Sequence, residues 1–309
     1  MGGGLMGGTA ACGGSAGGQA ARGGSARGTA ACGNRAKTVW AVYFSATGTT
    51  EKIVLHIART LARELTPECP AELRFLDFTL PAARQAEAVF TPDDIVVFGT
   101  PVYAGRVPNV LLPYLTGIKG GGAAAIPVVL FGNRDYDDAL IELRNLLEQD
   151  GFHTTAAGAF VGEHSFSRTL AAGRPDEVDM ERAAYFARQA AEKLKALPDV
   201  QTPVHVKGCE PLRGYYQPRD RAGAPVDIRK VLPKVGGACN DCGLCAEVCP
   251  MGSIRREDVR SYAGICIKCG ACIKKCPRHA RYYDDPAYLY HQHELEEGLV
   301  RRAEPELFF

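Results

Sequence analysis

The sequence lacks what a membrane-spanning or nucleic-acid-binding protein needs. Nowhere in its 309 residues is there a run approaching the roughly 20 apolar residues that cross a bilayer. It also lacks an excess of either charge. Its 36 basic and 35 acidic residues balance to +1, which gives no general attraction to nucleic acid or anionic lipid, and no helix-turn-helix or basic stripe is present. The first residues lack the charged start and apolar stretch of a secretory signal. Tryptophan is nearly absent, and the single Trp40 lies inside an apolar run that reads as a core strand. These absences predict a soluble chain in the cytoplasm with no membrane span and no nucleic-acid partner. At this length about two domains are expected.

Residues 1–36 are mostly Gly and Ala, with Gly-Thr-Ala-Ala-Cys-Gly written at both 8–13 and 28–33. So little apolar side chain does not offset chain entropy, and a disordered leader is expected, with Cys12 and Cys32 as incidental thiols. Residues 1–37 hold four basic residues and no acid, which leaves 32 basic against 35 acidic residues in the rest, a balance of −3.

From Thr38 the pattern changes. Apolar runs at Thr38–Phe44, Leu73–Phe78, Ile95–Gly99, Ile126–Phe131 and Thr155–Val161 alternate with amphipathic segments. One of these puts Ile53, Ile57, Leu61 and Leu65 at helical spacing, and two more run over Tyr136–Gln149 and Asp176–Leu197. Strands apolar on both faces belong to a parallel sheet covered on both sides. Five of them predict a doubly wound α/β domain over residues 37–197. Residues 198–233 contain six of the nineteen prolines and read as an extended linker across a surface. Residues 285–309 read as a short helical tail packed against one of the domains.

Cysteine is the opposite of scarce: there are twelve, eight of them between 239 and 276. Clustering of this kind favours metal chemistry in a reducing compartment over disulfides. Cys239-x-x-Cys242-x-x-Cys245-x-x-x-Cys249-Pro250 is followed, 27 residues later, by Cys266-x-x-Cys269-x-x-Cys272-x-x-x-Cys276-Pro277. Two-residue gaps let three thiolates converge on one cubane, and the fourth cysteine of each run serves the other cluster. The expected sets are therefore Cys239, Cys242, Cys245 and Cys276 for one [4Fe–4S] cluster, and Cys266, Cys269, Cys272 and Cys249 for the second. A pair of structural zinc sites needs neither a third cysteine at this spacing nor a Cys-Pro close. Over about residues 234–284 the repeat resembles the bacterial two-[4Fe–4S] ferredoxins. That resemblance implies one-electron transfer at low potential in a small α+β domain.

Between the first strand and first helix lies Ser45-Ala46-Thr47-Gly48-Thr49-Thr50. It lacks the Lys of a Walker loop and the G-x-G-x-x-G of a dinucleotide site. Hydroxyls and backbone N–H groups at a helix N-terminus suit a terminal monophosphate. Two further loops, Pro101-Val102-Tyr103-Ala104 after the third strand and Gly132-Asn133-Arg134-Asp135-Tyr136 after the fourth, should reach the same carboxyl edge of the sheet. With these residues the domain resembles the flavodoxin family over about 38–197. The resemblance implies FMN, with its phosphate on Ser45–Thr50 and its ring flanked by the later loops, so that Tyr103 and Tyr136 become candidate stacking groups. His164, after the fifth strand, is a candidate proton donor near the ring edge.

The whole arrangement resembles the flavodoxin–ferredoxin fusion proteins of anaerobic bacteria. It implies an electron-transfer protein that exchanges electrons with redox partner proteins through FMN and two clusters. Two other readings remain: a flavin-dependent reductase of an organic acceptor fed by the clusters, and an iron–sulfur redox sensor. No catalytic residue set emerges from the sequence.

Overall fold

The alternation of apolar strands and amphipathic helices builds one twisted sheet with helices on both faces. The computed structural model describes residues 38–65, 71–196, 202–220 and 222–309. The expected leader, Cys12, Cys32 and Cys69 lie outside these residues. In chain order the first part consists of β1 (Thr38–Tyr43), α1 (Thr49–Leu65), β2 (Glu72–Asp77), β3 (Asp94–Pro101), α2 (Leu112–Leu115), β4 (Ala124–Phe131), α3 (Ala139–Gln149), β5 (His153–Thr154), β6 (Ala157–Val161) and α4 (Glu177–Ala196). The second part holds β7 (Lys234–Val235), α5 (Leu244–Glu247), α6 (Ala271–Lys274), β8 (Arg281–Tyr282), α7 (Pro286–Gly298) and β9 (Glu306–Phe308).

The strand order is β2-β1-β3-β4-β6-β9, with the short β5 also paired to β4. From β2 to β6 every pairing is parallel. Successive side chains of a strand face opposite sides, and the core divides accordingly. Val39, Ala41, Tyr43, Ile95 and Val97 pack with α1 and α4, whereas Val42, Phe44, Val96 and Phe98 pack with the α3 side chains Leu140, Leu143 and Leu147. Burial on both faces is why these strands read as continuous apolar runs. The fold is the expected doubly wound α/β sheet, and a small α+β unit follows it.

The five expected strands form the parallel order β2-β1-β3-β4-β6, to which the described residues add the two-residue β5 and the antiparallel β9. One expectation needs correction: the tail is not helical to its end. After α7 the chain returns to pair β9 antiparallel to β6. Leu307 and Phe308 lie beside apolar side chains of the two core halves, and burial of that kind outweighs the weak strand signal of a three-residue segment. A buried ion pair secures the tail: Arg174 pairs with Asp179 and gives a further hydrogen bond to the Ala303 carbonyl at 2.7 Å, while Arg302 binds Asp176 at 2.7 and 3.0 Å.

Residues 202–233 have no helix or strand among those described; they pass from Thr154, where the Val204 amide donates to the carbonyl at 3.1 Å, beside α3 to the carboxyl-end loops, where the Tyr216 amide donates to the Ala104 carbonyl at 2.8 Å. Their anchor is Asp138, whose fully buried carboxylate accepts from the Cys209 amide at 3.0 Å and the Arg213 amide at 2.8 Å, and from the Arg213 guanidinium at 2.6 and 3.0 Å.

Candidate functional site: a cysteine cavity beside a flavin-sized cleft

The 27-residue repeat in the sequence is a repeat in the backbone. Asp241 and Lys268, two residues after the first cysteine of each run, have φ of 54° and 55°. Gly243 and Gly270 have φ of 79° and 75°, each capping a one-turn helix, α5 or α6. The Ser253 amide donates to Cys249 Sγ at 3.3 Å, and its counterpart Ala280 donates to Cys276 Sγ at 3.4 Å. Antiparallel β7 and β8 close the two ends. N–H···S bonds of this kind stabilise electron-rich sulfur and so raise a cluster's potential.

Cys249, Cys266, Cys269 and Cys272 line one cavity, together with Ile265, Ile267, Tyr262 and Tyr283. The fourth cysteine of the first run thus lines this cavity with three from the second. Among the described residues no three His, Cys, Asp or Glu side chains stand close enough to share a single metal ion. Four thiols on one cavity, three of them from a run with two-residue gaps, fit the ligand pattern of a cluster. Burial pushes the Cys269 and Cys272 thiols up to about 12, so the thiolates need the positive iron of a cluster to offset desolvation. Cys276 has the position in its run that Cys249 has in the other. Cys242 is exposed, so that half faces solvent.

The second feature is a cleft of about 620 Å³, within the range of ligand sites. The carboxyl-end loops of β3, β4 and β6 form its floor through Val102, Tyr103, Ala104, Gly132, Arg134, Asp135, His164 and Phe166. The linker supplies Tyr215, Tyr216 and Arg229, the cysteine-rich unit supplies Cys266 and Lys268, and α7 supplies His291. Cys266 therefore lines both the cysteine cavity and the cleft. Tyr103 lies between them: burial, then Cys269 and Cys266, push its phenol well up, which keeps it neutral. An aromatic row leads from Cys266 to Phe166 of the cleft wall. Tyr283 OH is 3.8 Å from Cys266 Sγ, Tyr283 stacks on Tyr288 at 3.8 Å, and Phe166 follows at 4.9 Å.

Ser45–Thr50 forms the turn from β1 into α1, beside the switch in strand order where a 2-1-3-4-5 sheet binds its ligand. The Ser45 amide donates to Thr79 Oγ1 at 2.8 Å, and Ser45 Oγ accepts from the Glu51 amide at 3.0 Å. The amides of Ala46, Thr47 and Gly48 give no hydrogen bond to the protein among the described residues. Gly48, at φ 96°, adopts a backbone that L side chains resist. Unpaired amides at a helix start fit a phosphate.

Several expected ligand contacts fall elsewhere. Tyr136 is 1% exposed and does not line the cleft. It packs on Phe131 at 5.6 Å, and its hydroxyl donates to Glu306 at 2.7 Å, so it holds the tail rather than a ring. Asn133 also serves the tail, donating to the Leu299 and Arg301 carbonyls at 2.9 and 2.7 Å and accepting from the Ala303 amide at 3.0 Å. The loop backbone can flank a ring, but these two side chains are occupied. Trp40 is part of the core edge, its indole N–H bonded to Asp94 at 2.8 Å. Sequence reasoning missed Tyr215, Tyr216, Arg229, Lys268 and His291 as cleft residues. The one available signal was aromatic density in a linker otherwise rich in proline.

The sequence of residues 229–284 matches the family of 4Fe-4S dicluster domains. The chain joins a dicluster domain to a sheet of flavodoxin-like strand order. No curated protein matches the chain in sequence. Solved structures similar to it include flavodoxin 2 from Bacillus cereus, at 20% identity over 51% of this chain and 99% of that one with a TM-score of 0.36. A flavodoxin from Streptococcus pneumonia TIGR4 shows 23% identity over 52% and 98%, with a TM-score of 0.34. The rubredoxin oxygen:oxidoreductase from Desulfovibrio gigas shows 20% identity over 52% of this chain and 36% of that one, with a TM-score of 0.36. The fold assignment rests on the strand order. No helix among the described residues is long and apolar enough to cross a membrane.

The dicluster domain is fastened to the carboxyl edge by cations reaching carbonyl oxygens. Lys274 of α6 donates to the His164 carbonyl at 2.6 Å and pairs with Glu163. Arg84 bridges the Phe78 and Thr79 carbonyls, at 2.9 and 2.7 Å, to the Pro250 carbonyl at 2.5 Å. Such contacts fix the orientation of the cysteine cavity towards the cleft.

Proposed function

We propose that this chain is an electron-transfer iron–sulfur flavoprotein in which two [4Fe–4S] clusters and FMN lie in series, working in a reducing compartment. The observation that carries the reading is the position of Cys266, which lines the cysteine cavity on one side and the cleft on the other. When bound, the clusters supply one-electron transfer and FMN supplies storage of one or two electrons with protons. The residues of the chain do the rest. Ser45–Thr50 would hold the phosphate, and Pro101–Ala104 with Gly132–Asp135 would flank the ring. Tyr215 and Tyr216 from the linker would line the cleft beside it. His164 Nδ1 accepts from the Phe166 amide at 3.1 Å, which leaves its Nε2 to carry the ring proton and act as a donor at the cleft wall.

The exposed Cys242 half is the face through which redox partner proteins would exchange electrons, while Cys266 and Cys269 lie inward. Anaerobic reconstitution with assays of iron, sulfide and FMN tests this reading. The expected outcome is two clusters and one FMN per chain, with flavin reduced through the clusters when a low-potential reductant is added. Zinc in place of iron, or no flavin retained, overturns it.

A further inference from the structure

We propose that Arg281 is a shared counter-ion for the two clusters, a single buried charge that holds the potentials of both up. This inference rests on the functional reading above and names a residue that tunes it.

The repeat marks the position. Arg281 comes five residues after Cys276, where the first run has Ile254 five residues after Cys249. The residues just before them, Ala280 and Ser253, are the ones whose amides donate to Cys276 and Cys249 sulfur. Both side chains are buried, Ile254 at 7% and Arg281 at 4% exposure. Isoleucine suits such a place as it stands, whereas a buried guanidinium is costly unless an opposite charge meets it.

The chain supplies no carboxylate for that purpose. Among the described residues the guanidinium donates to Tyr262 OH at 2.8 Å and to the Val259 carbonyl, its buried Nε–H has no partner, and no acid stands at ion-pair distance. A buried donor left without an acceptor points to a group that the polypeptide alone does not provide. Arg281 is hydrogen-bonded to Cys245 and stands beside Cys272. These are the third cysteines of the two runs, so each expected ligand set contributes one. Tyr262, which receives the 2.8 Å bond, lines the cavity of Cys249, Cys266, Cys269 and Cys272.

Four thiolates make a bound cluster negative overall, and reduction adds one electron to it. A buried cation nearby therefore stabilises the reduced form more than the oxidised one, and water screens it little. Facing both sets, Arg281 lowers the energy of an electron on either side and does not rank the two. Lys268, a second buried cation, donates to the Cys266 carbonyl at 3.0 Å and acts from the cleft side. The exposed Arg256 and Arg260 are paired with Glu247 and Asp241, so their fields are screened.

The test is an EPR-monitored redox titration of the cofactor-loaded full chain as wild type, Arg281→Ile, Arg281→Gln, Arg281→Lys and, as an exposed-cation control, Arg278→Gln. In Arg281→Ile both cluster midpoints should fall, so that the reduced-to-oxidised ratio of each at a fixed ambient potential drops about tenfold, equivalent to 59 mV for one electron. Arg281→Gln keeps an N–H donor without the charge and should show the same fall, which separates charge from hydrogen bonding. Arg281→Lys should restore both midpoints, and Arg278→Gln should move neither. If Arg281→Ile does not assemble its clusters, Arg281→Gln serves the same comparison. A wild-type chain without clusters and FMN overturns the functional reading and this inference together. A charge-free variant with complete cofactors in which neither midpoint moves, or only one does, overturns this inference alone.

Discussion

Gly270 and Ser165 meet backbone to backbone: a Cβ on Gly270 would stand 2.6 Å from the Ser165 carbonyl oxygen. Gly270 begins the helix between two cysteines of the inner set, and Ser165 belongs to the loop after β6 that lines the cleft. This backbone contact between the two domains thus depends on a residue with no side chain, at φ 75°. Gly270→Ala should destabilise the protein by roughly 1–3 kcal/mol, through the clash and the left-handed backbone together. Transfer from clusters to flavin should slow while iron content stays near normal. Stopped-flow absorbance at cluster and flavin wavelengths checks this, and wild-type rates in a fully folded variant would refute the tight docking.

Crossed ligation makes a pairing prediction. Cys249→Ser should perturb the same cluster as Cys266→Ser, although the two lie in different runs of the sequence. Cys276→Ser should match Cys239→Ser. Each single change should remove about half the iron or convert one cluster to a three-iron form, and EPR of the four variants sorts them into two pairs. Sorting by sequence run instead, with Cys249 grouped with Cys239, would show that the ligands are not crossed.

The phosphate loop predicts that the phosphate of the flavin matters. Chain stripped of flavin should bind FMN at least tenfold more tightly than riboflavin, because the amides of Ala46, Thr47 and Gly48 have an acceptor only in the former. Ser45→Ala removes the acceptor of the Glu51 amide and loosens the start of α1, at a cost of about 1 kcal/mol. It should weaken FMN several-fold and leave riboflavin nearly unchanged. Flavin fluorescence titration reads both. Equal affinity for the two flavins would place the phosphate elsewhere.

His164 gives a pH dependence. Burial first, then Lys274, His291 and Arg134, lower its imidazole from 6.5 to about 4. In the unfolded chain it takes a proton near 6.5, so between about 6.5 and 4 the unfolded state binds more protons than the folded one. Stability contributed by this group is therefore complete above 6.5 and declines as pH falls towards 4. His164→Gln should flatten the fall in denaturant midpoint between pH 7 and 5. An unchanged slope would mean that other groups carry the acid sensitivity.

Much of this protein was legible in the order of its residues because the relevant physics is local. A strand buried on both faces must be apolar throughout, so β1, β3, β4 and β6 announced themselves, and their alternation with α1, α3 and α4 implied the doubly wound sheet. The eight cysteines were equally plain, since a cubane imposes two-residue gaps and the chain has to supply them consecutively. Ser45–Thr50 followed from its place between β1 and α1.

Tertiary structure decided what depends on residues far apart in the chain. Tyr136 and Asn133 have the composition of a ligand loop, but their side chains are bound to Glu306 and to the Ala303 segment, more than 160 residues later. No local pattern reveals a partner at that distance. The linker became the roof of the cleft because Asp138 grips Arg213, and Lys268 became a buried cation because the dicluster domain turns that position inward. Sequence alone thus specified which cofactors the chain is suited to hold. That Cys266 lines both the cysteine cavity and the cleft was decided only when the carboxyl edge of the sheet, the linker and the cysteine-rich unit closed on one another, since burial and charge at a site are set by everything packed against it.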